Sequence, residues 1–248
     1  MIFPFLTLCT LERKIHKLYY KYLLFDLDHT LFDFELAEEK ALTLLLKEAN
    51  VSEISSYIAY YKPMNKAMWE SLSKKEITKE VLVKTRFANL FAYFNRIEDG
   101  LFWARRYEYY LGQQGDVYPF VPSLLERLSK ENFQLYAVTN GITTIQENRL
   151  NHSPISHYFK QVFISDKIGH HKPDIAFFNY VEGAIEEFKA HEALVIGDNL
   201  LADIKGGIEA GIDTVWYNPD NKVNTLEIKP TFEIKNMKEL LSVVLNIE

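Results

Sequence analysis

The sequence predicts an α/β fold, a parallel sheet with helices on both faces, interrupted after its first strand by an all-helical insertion. Three observations carry this. Short, β-rich apolar runs alternate with helical patterns over the second half of the chain. Each run ends in polar or glycine residues, as strands buried on both faces do. From about Phe34 to Gly115, by contrast, helical period runs throughout.

In chain order, residues 1–21 are expected to be an appendage. Residues 2–9 are apolar, but only Met1 precedes them and Glu12, Arg13, Lys14 and Lys17 follow, which is not the order of a secretory signal. Strands are expected at residues 22–25, 133–138, 162–164 and 194–196, with another at 214–217 that ends at the turn signal Asn218-Pro219. Helices are expected at 121–130, 174–188, 200–210 and 238–245. In the insertion, Ala37, Ala41, Leu44 and Leu45 share one helical face, and Val83, Phe87, Leu90, Phe91 and Phe94 share another. Asn50, Pro63, Gly100 and residues 112–115 punctuate it. The expected division is therefore a core of 22–33 and 116–248, with 34–115 inserted.

The chain has 248 residues, 48% hydrophobic and 25% charged, which excludes a disordered chain. A net charge of -6 lacks the basic footprint of a nucleic-acid binder. The lone Cys9 excludes an internal disulfide and a cysteine zinc site. No apolar run approaches the roughly 20 residues of a membrane span. The expectation is a cytoplasmic monomer or homodimer with no membrane and no nucleic-acid polymer as partner.

In open α/β sheets, ligands bind beyond the carboxyl ends of the strands, and four such ends here carry chemistry. The first delivers Asp26-Leu27-Asp28-His29-Thr30, with Asp26 and Asp28 on one side of the extended chain. Two carboxylates held together call for a cation, although aspartates before a helix also serve as caps. The second ends in Thr139-Asn140-Gly141, able to turn a hydroxyl and backbone N–H groups toward an anion, or simply to make a turn. After the third, Pro173 is expected to open a helix, leaving Lys172 at its mouth as a phosphate anchor. Neighbouring His170 and His171 point apart, which argues against a metal site there. The fourth ends in Gly197-Asp198-Asn199, with Asp203 one turn on. Acids converging in this way make an oxygen-rich cavity suited to Mg²⁺.

These motifs resemble those of the haloacid dehalogenase superfamily of aspartate-nucleophile phosphatases. The matching residues are Asp26-Leu27-Asp28-His29-Thr30, Thr139-Asn140-Gly141, Lys172-Pro173, and Gly197-Asp198-Asn199 with Asp203. The resemblance implies a Rossmann-like core with residues 34–115 as a helical cap. It implies Asp26 as nucleophile, Asp28 as acid–base, and Thr139, the Asn140 backbone and Lys172 on the phosphoryl oxygens. It places Mg²⁺ on Asp26, the Asp28 carbonyl and Asp198, with Asp203 supporting that shell. Closer likeness to the bacterial pyrimidine 5′-nucleotidase branch rests on residues 31–34, 65–69, Arg86-Phe87 and 211–219. That branch implies a small phosphomonoester substrate, a pyrimidine nucleoside 5′-monophosphate. A phosphatase of phosphoglycolate or a sugar phosphate, a phosphomutase, a dehalogenase and an inactive binding module are the alternatives. For substrate choice the candidates are Asn65 and Trp69, one turn apart on one helix, against the reading of Trp69 as cap core. Arg86 is expected to be a surface ion-pair partner.

Overall fold

The computed structural model describes residues 20–245, so most of the expected appendage, with Cys9, lies outside the described residues. Helices α1 (Phe34–Glu48), α2 (Ile54–Ser73), α3 (Lys79–Tyr93) and α4 (Gly100–Gly112) follow strand β1 (Tyr22–Phe25). Next come α5 (Val121–Lys130), β2 (Gln134–Thr139), α6 (Thr143–Asn151), β3 (Gln161–Ile164), α7 (Ser165–Ile168) and α8 (Ile175–Ala184). Beyond β4 (Ala193–Gly197), a π-helical stretch at Leu200–Lys205 runs into α9 (Gly206–Glu209), followed by β5 (Asp213–Tyr217), β6 (Phe232–Ile234) and α10 (Glu239–Leu245).

All six strands pair in parallel in the order β3-β2-β1-β4-β5-β6, so β1 is central. Its four residues are all buried, and they alternate between two cores. Leu23 and Phe25 join Leu124, Leu128, Leu240 and Val244 of α5 and α10, while Tyr22 and Leu24 join Phe177, Phe178 and Val181 of α8. That two-sided burial is why the strands read as unbroken apolar runs. The three-residue β6 was not anticipated, being too short to show a period.

The insertion has its own core. Ala37, Ala41 and Leu45 of α1 meet Phe87, Leu90 and Phe91 of α3 and Trp103 and Tyr107 of α4. Although Leu42, Leu45 and Leu46 are buried, Leu44 departs from the expected face and is 40% exposed.

 Leu44 lies at the rim because α1 turns its Ala37–Ala41–Leu45 line inward, which leaves the residue before Leu45 outside.

Pro63 also departs from expectation. It sits inside α2 instead of breaking it, on the exposed side, where water can serve the carbonyl that loses its N–H partner. The helix expected at 174–188 is shorter, because Asp174 caps it and Ile185 returns to extended backbone.

The chain leaves and re-enters the core at adjacent points. Asp33 N–H donates to the Asp116 carbonyl at 3.1 Å, Tyr118 N–H donates to the Leu31 carbonyl at 3.1 Å, and Phe32 bridges to Val117. Among the described residues, no helix is long and apolar enough to cross a membrane.

Candidate active site

The central strand sets the site. Asp26 N–H donates to the Ile196 carbonyl at 2.8 Å, extending the β1–β4 pairing one residue past the strand. Its carboxylate is then caught from two sides. Lys172 Nζ donates to Oδ1 at 2.7 Å, and Thr30 Oγ1 donates to Oδ2 at 3.2 Å. The other two Lys172 protons go to Asp203 Oδ1 at 2.6 Å and the Val138 carbonyl at 2.7 Å. Lys172 is buried, and its ammonium is fully engaged by protein acceptors.

Pro173 does not open the helix as expected. The Lys172–Pro173 peptide is cis, and Asp174 is the cap of α8, accepting from Ala176 N–H. The Lys172 segment is instead pinned by the Asn140 side chain, which donates to the Lys172 carbonyl at 2.8 Å and accepts from its N–H at 2.9 Å. Thr139 is buried at the end of β2, where its hydroxyl oxygen accepts from Gly141 N–H at 3.1 Å.

One carboxylate oxygen each from Asp26, Asp198 and Asp203 lies within 4.8 Å of the others. Burial pushes Asp26 up to about 7, against the opposing pull of Lys172, and pushes Asp198 up to about 6, with repulsion from Asp26 adding. Asp203 is also raised by burial and drawn back by Lys172. Burial alone would lower the Lys172 ammonium, but Asp203 and Asp26 outweigh it and hold it above the ordinary lysine value. Hard oxygen donors that repel one another in a buried cleft fit a hard divalent cation. Both Asp203 oxygens are already used, by Lys172 and by Asn199 N–H at 3.1 Å, which suits a supporting role. A Cβ at residue 197 would stand 2.2 Å from Asp203 Oδ2, so only glycine lets that carboxylate pack against β4.

The Asp28 carboxylate is held by a different set of partners. Arg149 Nη1 is paired with Asp28 Oδ1, and Gln146 Nε2 donates to Oδ2 at 2.7 Å and to Thr139 Oγ1 at 2.9 Å. Sequence reasoning missed both residues and the helix α6 that carries them. Their i, i+3 spacing was the available signal, but the buried face of α6 is half polar, so no apolar stripe marks it.

The sequence pattern of the family described as haloacid dehalogenase-like hydrolase matches residues 23–217. The chain belongs to that family. It is 49% identical over 224 residues to the pyrimidine 5′-nucleotidase PynA of Streptococcus pneumoniae, covering 90% of this chain and 94% of that one. It is 26% identical over 221 residues to the pyrimidine 5′-nucleotidase YjjG of Escherichia coli, covering 88% and 95%. The crystal structure of the HAD-hydrolase YfnB of Bacillus subtilis, bound to magnesium and revealing interdomain movement, matches with a TM-score of 0.88 at 39% identity. That match covers 92% of this chain and 100% of the other.

In this haloacid dehalogenase-like hydrolase the insertion holds a second polar cluster. Asn65 is buried on α2 and donates to Glu38 at 3.2 Å, while Trp69, one turn on, is half-buried. Arg86 is not the surface residue expected. It is 2% exposed, with its guanidinium carbon 4.8 Å from the Tyr107 ring centroid and 5.2 Å from that of Phe87. The aromatic walls of α3 and α4 draw it inward, and a single sequence carries no sign of that. Lys79 of α3 reaches the core, donating to Asp166 at 2.8 Å beside the Thr139-Asn140-Gly141 turn.

Proposed function

We propose that the chain is a Mg²⁺-dependent phosphomonoesterase acting on pyrimidine nucleoside 5′-monophosphates, with residues 34–115 as its cap. The observation that carries the reading is the buried Asp26 carboxylate, held between Lys172 and Thr30 beside Asp198 and Asp203 at the carboxyl end of the central strand. Substrate class is supported by the 49% identity to a pyrimidine 5′-nucleotidase.

In this reading Asp26 attacks phosphorus, the P–O ester bond breaks, and an aspartyl-phosphate forms. Asp28 gives its proton to the departing alkoxide, then takes one from the water that attacks the aspartyl-phosphate, returning Asp26 and releasing phosphate. Lys172 balances the charge of Asp26 and Asp203 and bears on the phosphoryl oxygens through its field, since its protons are already placed. Thr139 and the Asn140 backbone border the same end of the sheet and hold phosphoryl oxygens. Mg²⁺ would be held by Asp26, the Asp28 carbonyl and Asp198, with Asp203 in support, and would neutralise charge on the transferring group. Lys79 of the insertion pairs with Asp166 of the core and so bridges cap to core beside the site.

The test is phosphate release from UMP, dUMP, dTMP, AMP, phosphoglycolate and a hexose phosphate, with Mg²⁺ or with EDTA. Turnover concentrated on the pyrimidine nucleotides and lost in EDTA is expected. Turnover concentrated on phosphoglycolate or the sugar phosphate would keep the chemistry and reject the nucleotide assignment.

A further inference from the structure

The side chain of Arg149 is fully buried and touches three things that the chain brings together from distant places. Its Nη1 is paired with Asp28. Its Nε donates at 2.9 Å to the carbonyl of Gln114, in the segment by which the chain returns from the insertion. Its guanidinium carbon lies 4.2 Å from the ring centroid of Phe32 and 5.5 Å from that of Phe34, on the segment by which the chain enters the insertion. We propose that Arg149 is a positioning residue that couples both linkers of the helical insertion to the orientation of the Asp28 carboxylate. This rests on the reading of Asp28 as the acid–base group.

The linkers are tied to one another, hydrogen-bonded side by side through Asp33 and Asp116 and through Leu31 and Tyr118. They are also pressed onto α6. A Cβ at residue 115 would stand 2.4 Å from the backbone of His152, so the returning linker runs against the end of that helix with no room for a side chain. Displacement of the linkers therefore moves the carbonyl and the rings that fix the guanidinium plane. A planar fork transmits that displacement to its other end, where Asp28 is bound.

Two further features suit a residue with more than one arrangement. Arg149 Nη2 is buried with no hydrogen-bond partner, so a donor is in hand when another contact shifts. Gln146, one turn earlier, holds the other Asp28 oxygen together with Thr139. With both oxygens engaged, Asp28 must give up a partner before it can present a proton to a leaving group, and the linker-borne partner is Arg149.

The experiment compares kcat/KM, which reads phosphoryl transfer to Asp26 and not the later hydrolysis shared by both esters, on a pyrimidine nucleoside 5′-monophosphate, whose alkoxide needs a proton, and on para-nitrophenyl phosphate, whose phenolate leaves without one. Arg149→Met is expected to lower kcat/KM for the nucleotide about tenfold or more beyond any loss on the aryl ester. Arg149→Lys, which keeps the charge but not the fork, is expected to fail to rescue it. Phe34→Ala lies on the linker side of the guanidinium, away from its pairing with Asp28. It is expected to give a smaller loss of the same selectivity, and one that does not add to that of Arg149→Met. Equal losses on both esters, rescue by lysine, or a Phe34→Ala effect that is absent or additive would overturn the coupling. Should Arg149→Met fail to fold, the lysine and Phe34 variants decide the matter alone. Absence of turnover of either ester by the wild-type protein would overturn the phosphatase reading and this inference with it.

Discussion

Two polar clusters lie buried among the described residues, and they are built on different terms. At the strand ends, both oxygens of Asp26, both of Asp203 and all three protons of Lys172 are in use. Inside the insertion, Asn65 gives its amide to Glu38, but its Oδ1 is buried without a partner, as are Nε and Nη2 of Arg86. The first cluster is placed by sheet backbone, and its Asp26, Asp203 and Lys172 are fully paired with one another and their neighbours. The second is placed by helix surfaces and keeps hydrogen-bonding capacity in reserve. A paired network holds its charged groups in one arrangement, while unspent donors and acceptors leave the insertion cluster able to bond another polar group.

The largest expected effect falls on the saturated cluster. Asp26→Asn keeps the shape and removes the nucleophile, so Mg²⁺-dependent phosphate release should fall below detection while the melting curve stays cooperative. Lys172→Met leaves two buried carboxylates without their counter-charge and should cost about 3–5 kcal/mol in urea unfolding. A loss of activity with no loss of stability would show that the cluster is not the charge-balanced unit described here.

Glu38 sharpens the contrast through pH. Burial pushes its carboxyl up to about 7, against the opposing pull of Lys62 and Arg86. Its native form thus holds a proton more tightly than the unfolded chain does. Its contribution is greatest below the unfolded value of 4.5 and is lost as pH rises toward 7. Glu38→Gln should flatten that slope and raise stability at pH 8 by on the order of 3 kcal/mol at most. Unfolding curves across that window, unchanged by the substitution, would count against it. The smallest effect belongs to Asn65→Ala. We expect KM for pyrimidine nucleotides to rise about fivefold to tenfold, one hydrogen bond's worth, with turnover of para-nitrophenyl phosphate unchanged. Parallel losses on both substrates would erase the distinction between the clusters.

Much of the strand-end cluster was legible because strand ends are marked locally. An apolar run stops, and Asp26, Thr139, Lys172 or Asp198 stands at or soon after the stop. The insertion was legible as helices, yet Leu44 and Arg86 were misplaced. Which side of a helix is buried depends on what packs against it, and at Arg86 aromatic faces take the place of an ion-pair partner.

By itself, then, the sequence determined the alternation of strands and helices, the site of the insertion and the acids and lysine at the strand ends. Each follows from residues close together in the chain. Only the tertiary structure decided that Arg149 meets Asp28 across 121 residues while resting on both linkers. That meeting depends on strand order, since β1 and β2 must lie side by side before α6 can face the end of β1. It is also made by polar groups on a buried helix face, where no hydrophobic period announces it.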